Sequence, residues 1–83
     1  MPKLTASAVV HGGRVFTGLR HCDAIKLAVN VTGIKPVKGC QGFIDEEGTF
    51  HDRYQARIIA IMEGQVKEED LRKKDIIFSE DLW

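Results

Sequence analysis

Two adjacent glycines, Gly12 and Gly13, stand between the short apolar runs Val9-Val10-His11 and Arg14-Val15-Phe16. Few sequence features restrict a chain so tightly. A two-residue hairpin loop that follows the twist of its strands needs positive φ at both positions, and glycine reaches those values at no steric cost. The spacing predicts a hairpin over residues 7–16 in which Val10 faces Val15, Val9 faces Phe16 and His11 faces Arg14. Val10 and Val15 then share one face, with Val9, Phe16, His11 and Arg14 on the other. Both faces carry apolar groups, so both are expected to be covered near the hairpin base. Residues 1–6 read as a lead-in, because Pro2 discourages regular structure.

Thr17-Gly18 ends this hairpin, and a helix is expected from about residue 20 to residue 31. It should stop at Thr32-Gly33, with Gly33 as a left-handed cap. Helical spacing groups Cys22, Ile25, Ala28 and Val29, with His21 at the edge, and sets Ala24, Leu27 and Val31 on a second face. A helix this broadly apolar fits either the centre of a tight monomer or burial against a second copy of the protein. An extended connection follows at residues 34–39, favoured by Lys35 before Pro36.

A second hairpin is expected to pair residues 40–44 with 49–51 around Glu46-Glu47-Gly48, with Gly48 left-handed and Ile44 opposite Phe50. Gly42 inside a strand marks a close approach, either of a ligand or of a bulky neighbour such as Trp83 or Tyr54. Asp52-x-x-Gln55 has capping-box spacing and opens a second helix that runs to Met62 or Glu63 and closes at Gly64. Its inner face is expected to hold Tyr54, Ile58, Ile61 and Met62, widened by Ile59. Residues 66–74 are highly charged, with acids before bases, as in a short exposed helix. Residues 76–78 read as a strand or docking segment, and Trp83 is too large and apolar to be left in water. The expected fold is α+β: two short β-hairpins alternating with two helices in one small domain spanning residues 1–83. Two similar halves are faintly visible in this order.

Composition narrows the function classes. Twelve basic residues balance twelve acidic ones in 83 residues, which disfavours duplex nucleic acid as the main partner. No apolar run approaches the ~20 residues that cross a bilayer, and no signal-peptide pattern is present, so a cytoplasmic protein without a membrane partner is expected. Cys22 and Cys40 then read as reduced thiols. The histidines His11, His21 and His51 and the two cysteines lack metal-ligand spacing, so neither a metal nor another cofactor is expected. Cys22 reads as a core thiol, against the alternative of a reactive thiol at a helix N-terminus.

Arginine is unhelpful to the dipole at a helix start, yet Arg20 and Arg53 each stand at one, and Arg14 sits beside the first turn. Such positions ask for anionic partners. These are either acids of the same chain, such as Asp45, Glu46 or Glu80, or a small phosphorylated ligand. Fork-shaped donors beside the planar groups of His21, Tyr54 and Phe43 would suit a nucleotide. The candidate binding residues are therefore Arg14, Arg20, His21, Arg53 and Tyr54. No complete catalytic motif is present.

The run Gly42-Phe43-Ile44-Asp45, Gly48, Phe50, Asp52-Arg53 and Ala56, then Gly64-Gln65 and Phe78-Ser79-Glu80-Asp81-Leu82-Trp83, resembles a family of small proteins encoded by bacteriophages and prophages. Arg20-His21-Cys22 matches a further segment, and the likeness spans about residues 14–83. This chain has Tyr54-Gln55 where usual members carry two glutamates, which weakens any catalytic role for acids there. The resemblance implies a phage accessory protein in the host cytoplasm, a class that includes sequesterers of nucleotide defence signals. The leading expectation is thus a non-enzymatic protein that binds a small anionic or nucleotide ligand, as a homo-oligomer with a dimer favoured. The alternatives are an inhibitor or adaptor that docks on a host or phage protein through residues 76–83, and a phosphodiesterase-like hydrolase using His21 or His51.

Overall fold

The computed structural model describes residues 2–35 and 39–83. The chain begins with the expected hairpin, β1 (Leu4–His11) and β2 (Arg14–Gly18), in the expected register. Gly12 and Gly13 take φ of 60° and 77°, as the two-residue turn requires. The lead-in is shorter than expected. Regular structure starts at Leu4, which is buried against Phe43 and Ile77, because an apolar side chain here gains more from the core than Pro2 costs two residues away.

The helix α1 (His21–Thr32) follows, and Gly33 caps it at φ 71° while its N–H donates to the Val29 carbonyl. A second hairpin is formed by β3 (Gln41–Asp45) and β4 (Phe50–Asp52), with Ile44 opposite Phe50 and Gly48 at φ 82°. The helix α2 (Arg53–Met62) starts on Asp52, whose carboxylate accepts from the Gln55 N–H at 2.8 Å. The connection expected at residues 34–39 falls in part on residues 36–38, outside the described residues.

β1 and β3 pair antiparallel, so the two hairpins fuse into one four-stranded sheet in the order β2-β1-β3-β4. Strand alternation puts Ser7, Val9, His11, Phe16 and Phe43 on one side and Ala6, Ala8, Val10, Val15, Ile44 and Phe50 on the other. The helices pack on the first side. Val9 and Phe16 form one core with Ala24 and Ala28 of α1, and Leu4 and Phe43 form another with Ala56, Ile59 and Ala60 of α2. No described helix packs on the second face, where Ala8 near the hairpin base is fully buried and Val15 toward the tip is half exposed.

Both helices meet the sheet through alanines spaced i, i+4, and this reverses two expectations. On α2, Tyr54, Ile58 and Met62 point outward with 59%, 53% and 64% of their surface exposed, while Ala56, Ile59 and Ala60 face in. On α1, Cys22 is an exposed free thiol and His21, Ala24 and Ala28 are buried. A small side chain lets a helix axis approach the sheet closely, and the larger residues beside it are turned away.

The last third departs most from expectation. Residues 66–74 form only a 3₁₀ turn, Glu68–Asp70, since the charged run has no apolar stripe to hold a longer helix. Residues 76–78 form no regular structure and do not join the sheet, and Ile77 is fully buried. A third helix, α3 (Ser79–Leu82), ends the described chain. The alternation of two hairpins with two helices is thus followed by a docked tail, giving three helices among the described residues on a small α+β domain. Trp83 packs on the Phe43 core, with ring centroids 6.1 Å apart.

Candidate functional site

The N-termini of α1 and α2 both meet the docked tail. Arg20 is the N-cap of α1 and has no side-chain oxygen with which to cap it, so Asp23 reaches back and accepts from the Arg20 N–H at 3.3 Å. The guanidinium is left to extend outward, and one nitrogen donates to the main-chain oxygen of Trp83 at 2.7 Å. Arg53, the first residue of α2, donates to the Ile77 carbonyl at 3.0 Å and to Gln41 Oε1 at 2.7 Å, and its guanidinium lies 5.0 Å from the centre of the Phe78 ring. Burial lowers the Arg53 pKa from its ordinary value, while the negative charge of Glu80 opposes the shift.

His21 lies between these arginines. Its Nε2 donates to the Gly42 carbonyl at 2.7 Å, its ring meets Phe43 edge-on at 4.9 Å, and its main-chain N–H donates to Ser79 Oγ. Burial depresses the imidazole pKa, and nearby Arg53 adds to this, while the bond to Gly42 and the charge of Glu80 act the other way. Glu80 is held below the usual carboxylate range by its own main-chain N–H and by Arg72, Arg20 and His21, against the effect of burial. The close approach anticipated at Gly42 comes from within the sheet. A side chain there would strike the His51 carbonyl and the Phe50 ring, and neither Trp83 nor Tyr54 is the neighbour involved.

Of the five residues expected to bind, the structure brings Arg20, His21 and Arg53 together around residues 77–83. Arg14 lies at the tip of the first hairpin, 5.5 Å from the centre of the Phe16 ring, and Tyr54 projects from the outer face of α2. The acids considered as internal partners are placed differently. Among the described residues the salt bridges between side chains are Arg57–Glu68 and Arg72–Asp81, His51 is hydrogen-bonded to Asp45, and neither Arg20 nor Arg53 is paired with an acidic side chain. Gln41, Ser79 and the carbonyls of Gly42 and Ile77 complete the cluster. Nothing in the sequence marks Gln41 or the carbonyls, because their roles depend on which strands become neighbours. Ser79 and Glu80 lay within a recognisable motif.

The second histidine with acid–base potential is elsewhere. His51 Nε2 lies 2.7 Å from Asp45 Oδ2, while Asp45 Oδ1 accepts from the N–H groups of Glu47 and Thr49. These bonds, that to His51 foremost, hold the Asp45 carboxyl below its usual range. His51 also borders an apolar groove of ≈ 300 Å³ with Gln55, Ile58 and Ile59. A larger polar concavity of ≈ 500 Å³ is lined by Lys67, Asp70 and Arg72 and by Glu80 and Asp81 of the tail. No group of metal-ligating side chains occurs among the described residues, and no described helix is long and apolar enough to cross a membrane.

No curated protein and no solved structure matches this chain. The family model described as the phage T4 y16D protein matches residues 3–83, nearly the whole length and including both helix starts and the docked tail. The chain belongs to the phage T4 y16D protein family.

Proposed function

We propose that this phage-family protein is a non-enzymatic accessory protein that captures a small phosphorylated or nucleotide ligand at the mouth formed by Arg20, His21 and Arg53, with sequestration of a host defence signal as its use. The observation that carries this reading is the pairing of the two guanidiniums. Arg53 donates to the neutral oxygens of Ile77 and Gln41 and Arg20 to the main-chain oxygen of Trp83, and neither has an Asp or Glu side chain at ion-pair distance among the described residues. Glu80 acts on both at longer range, and Arg53 is partly buried. A phosphate offers stronger, charge-assisted and two-pronged bonds to such groups.

Calorimetric titration with adenosine 3′-monophosphate and with linear and cyclic dinucleotides tests the reading. Arg20 is exposed, so Arg20→Ala should keep the melting temperature and weaken binding about tenfold or more, the range for a hydrogen bond to a charged group. Arg53→Lys should also weaken binding, since lysine lacks the fork. If no nucleotide binds the parent protein and both variants melt early, the arginines hold the tail and the ligand reading is wrong.

A second reading, a protein-binding inhibitor or adaptor, is favoured by one observation. The apolar stripe Tyr54, Ile58 and Met62 lies open on α2, and its Ile58 lines the groove beside His51. This stripe suits a partner better than residues 76–83, since Ile77 and Ser79 are buried in the domain. Ile58→Glu separates the two readings, because it should abolish protein association and leave nucleotide titrations unchanged.

A further inference from the structure

β2 is an edge of the sheet, and nothing in its sequence protects that edge. It pairs with β1 over five residues in unbroken register and carries no proline and no lysine. The two-residue turn makes His11 and Arg14 a hydrogen-bonded pair, so Arg14, Phe16 and Gly18 bond back to β1. The main-chain groups of Val15 and Thr17 then point outward, and both side chains are exposed. The opposite edge, β4, has only three residues and runs straight into α2.

The flank of α1 above this edge is also apolar and open. A Cβ on Gly18 would come within 2.7 Å of Asp23 Cβ, so Asp23 stands over β2. Leu27 and Val31 follow Asp23 at i+4 and i+8 on the same flank, 43% and 51% exposed. His21, on the other flank, reaches inward to Gly42 and Phe43 of β3. Arg14 is exposed, and among the described residues it has no acidic side chain at ion-pair distance.

We propose that this edge is a homodimer interface in which β2 pairs antiparallel with β2 of a second copy about a twofold axis at Phe16, joining the two sheets into one of eight strands. Only this register pairs the whole strand. Val15 of each copy faces Thr17 of the other, and each such pair exchanges both main-chain hydrogen bonds. Arg14 then faces Gly18 of the second copy. Because Gly18 has no side chain, the neighbour Arg14 meets there is the Asp23 carboxylate of that copy, and the twofold makes this ion pair twice. Neighbouring strands lie about 4.8 Å apart. Helices seated over β1 and β2 of each copy therefore approach to roughly the 8–10 Å at which helices pack, and Leu27 and Val31 close the seam between them. The charge complementarity of Arg14 and Asp23 selects a second copy as the occupant. The interface is independent of the ligand reading above.

Sedimentation equilibrium on the full chain tests it by charge exchange. Arg14→Glu alone sets Glu against Asp twice, and Asp23→Arg alone sets Arg against Arg twice. Each variant should dimerise about tenfold or more weakly than the parent. Mixed in equal amounts they restore both attractive pairs, and a heterodimer of near-parental affinity should form. Should Asp23→Arg lose its fold by circular dichroism, Leu27→Glu takes its place. That residue is exposed in the single chain, so the variant should fold, yet it should weaken the dimer about tenfold or more by putting two charges into the seam. Ile58→Glu, on the outer face of α2, should leave the dimer unchanged. A parent protein that is monomeric at every concentration overturns the proposal. So does a dimer that survives Arg14→Glu and Leu27→Glu, or one that Ile58→Glu dissociates, because the contact then lies elsewhere.

Discussion

At the scale of single residues, two titrating side chains give the domain separate acid sensitivities. Burial lowers the His21 pKa in the folded state, so the unfolded chain takes up the proton first. Stability should therefore begin to fall as pH drops below the ordinary histidine value of about 6.5 and continue to fall until the folded-state pKa is passed. The Asp45 carboxyl is depressed by His51 and by the loop N–H groups, so its contribution is also lost on acidification but in a lower pH window. Its stabilisation is full above the ordinary carboxylate value and disappears as pH falls through the depressed one. Melting temperatures from pH 8 to pH 2 resolve the two effects. His21→Phe should flatten the curve just below pH 6.5, and Asp45→Asn should flatten it only in the acid range. A His21→Phe profile parallel to the parent's across pH 7 to 5 would show that this imidazole is not protected from protonation.

At the scale of elements, the faces of α2 are where apolar content and burial part company. Ile58 and Ile59 are chemically identical neighbours, one exposed and the other buried on the Phe43 core. Ile59→Ala should cost about 2–5 kcal/mol in urea unfolding, as core truncations do, and Ile58→Ala should stay within about 0.5 kcal/mol. Comparable losses at both positions would mean that α2 is rotated from the face described. The tail is a structural element by the same measure. Ile77→Ala should cost about 2–5 kcal/mol, because Ile77 is fully buried between Leu4, Phe43 and α2. An unchanged urea midpoint for that variant would show the tail to be undocked in solution.

At the scale of the whole molecule, each half is a hairpin followed by a helix, and the halves meet through antiparallel β1 and β3. The order β2-β1-β3-β4 is that of two ββα units related by a twofold, with alanines at i, i+4 anchoring each helix. One sheet face carries Val10, Val15, Ile44 and Phe50 with no described helix on it, and Leu27, Val31 and Ile34 are exposed on and beyond α1. Whether a second copy covers Val15, Leu27, Val31 and Ile34, as a dimer would, is reported directly by light scattering at micromolar concentration and above. A monomer at every concentration would rule it out.

Local chemistry made much of this fold legible in the sequence. The glycine pair set the first turn and its register, Gly33 set the end of α1, Gly48 the second loop, and Asp52 the start of α2. Each of those signals acts within four or five residues, through a φ value or a cap, and needs no distant partner. Which side chains face inward was legible only in part, because hydrophobicity does not say how close a helix comes to a sheet. The closeness of the packing put Ala24, Ala28, Ala56 and Ala60 inside and left Tyr54, Ile58 and Met62 out. The arginines at the two helix starts were visible from the beginning. Their partners were not, because Trp83 lies 63 residues from Arg20 and Ile77 lies 24 from Arg53. Only the pairing of β1 with β3 and the docking of the tail brought them within hydrogen-bonding reach.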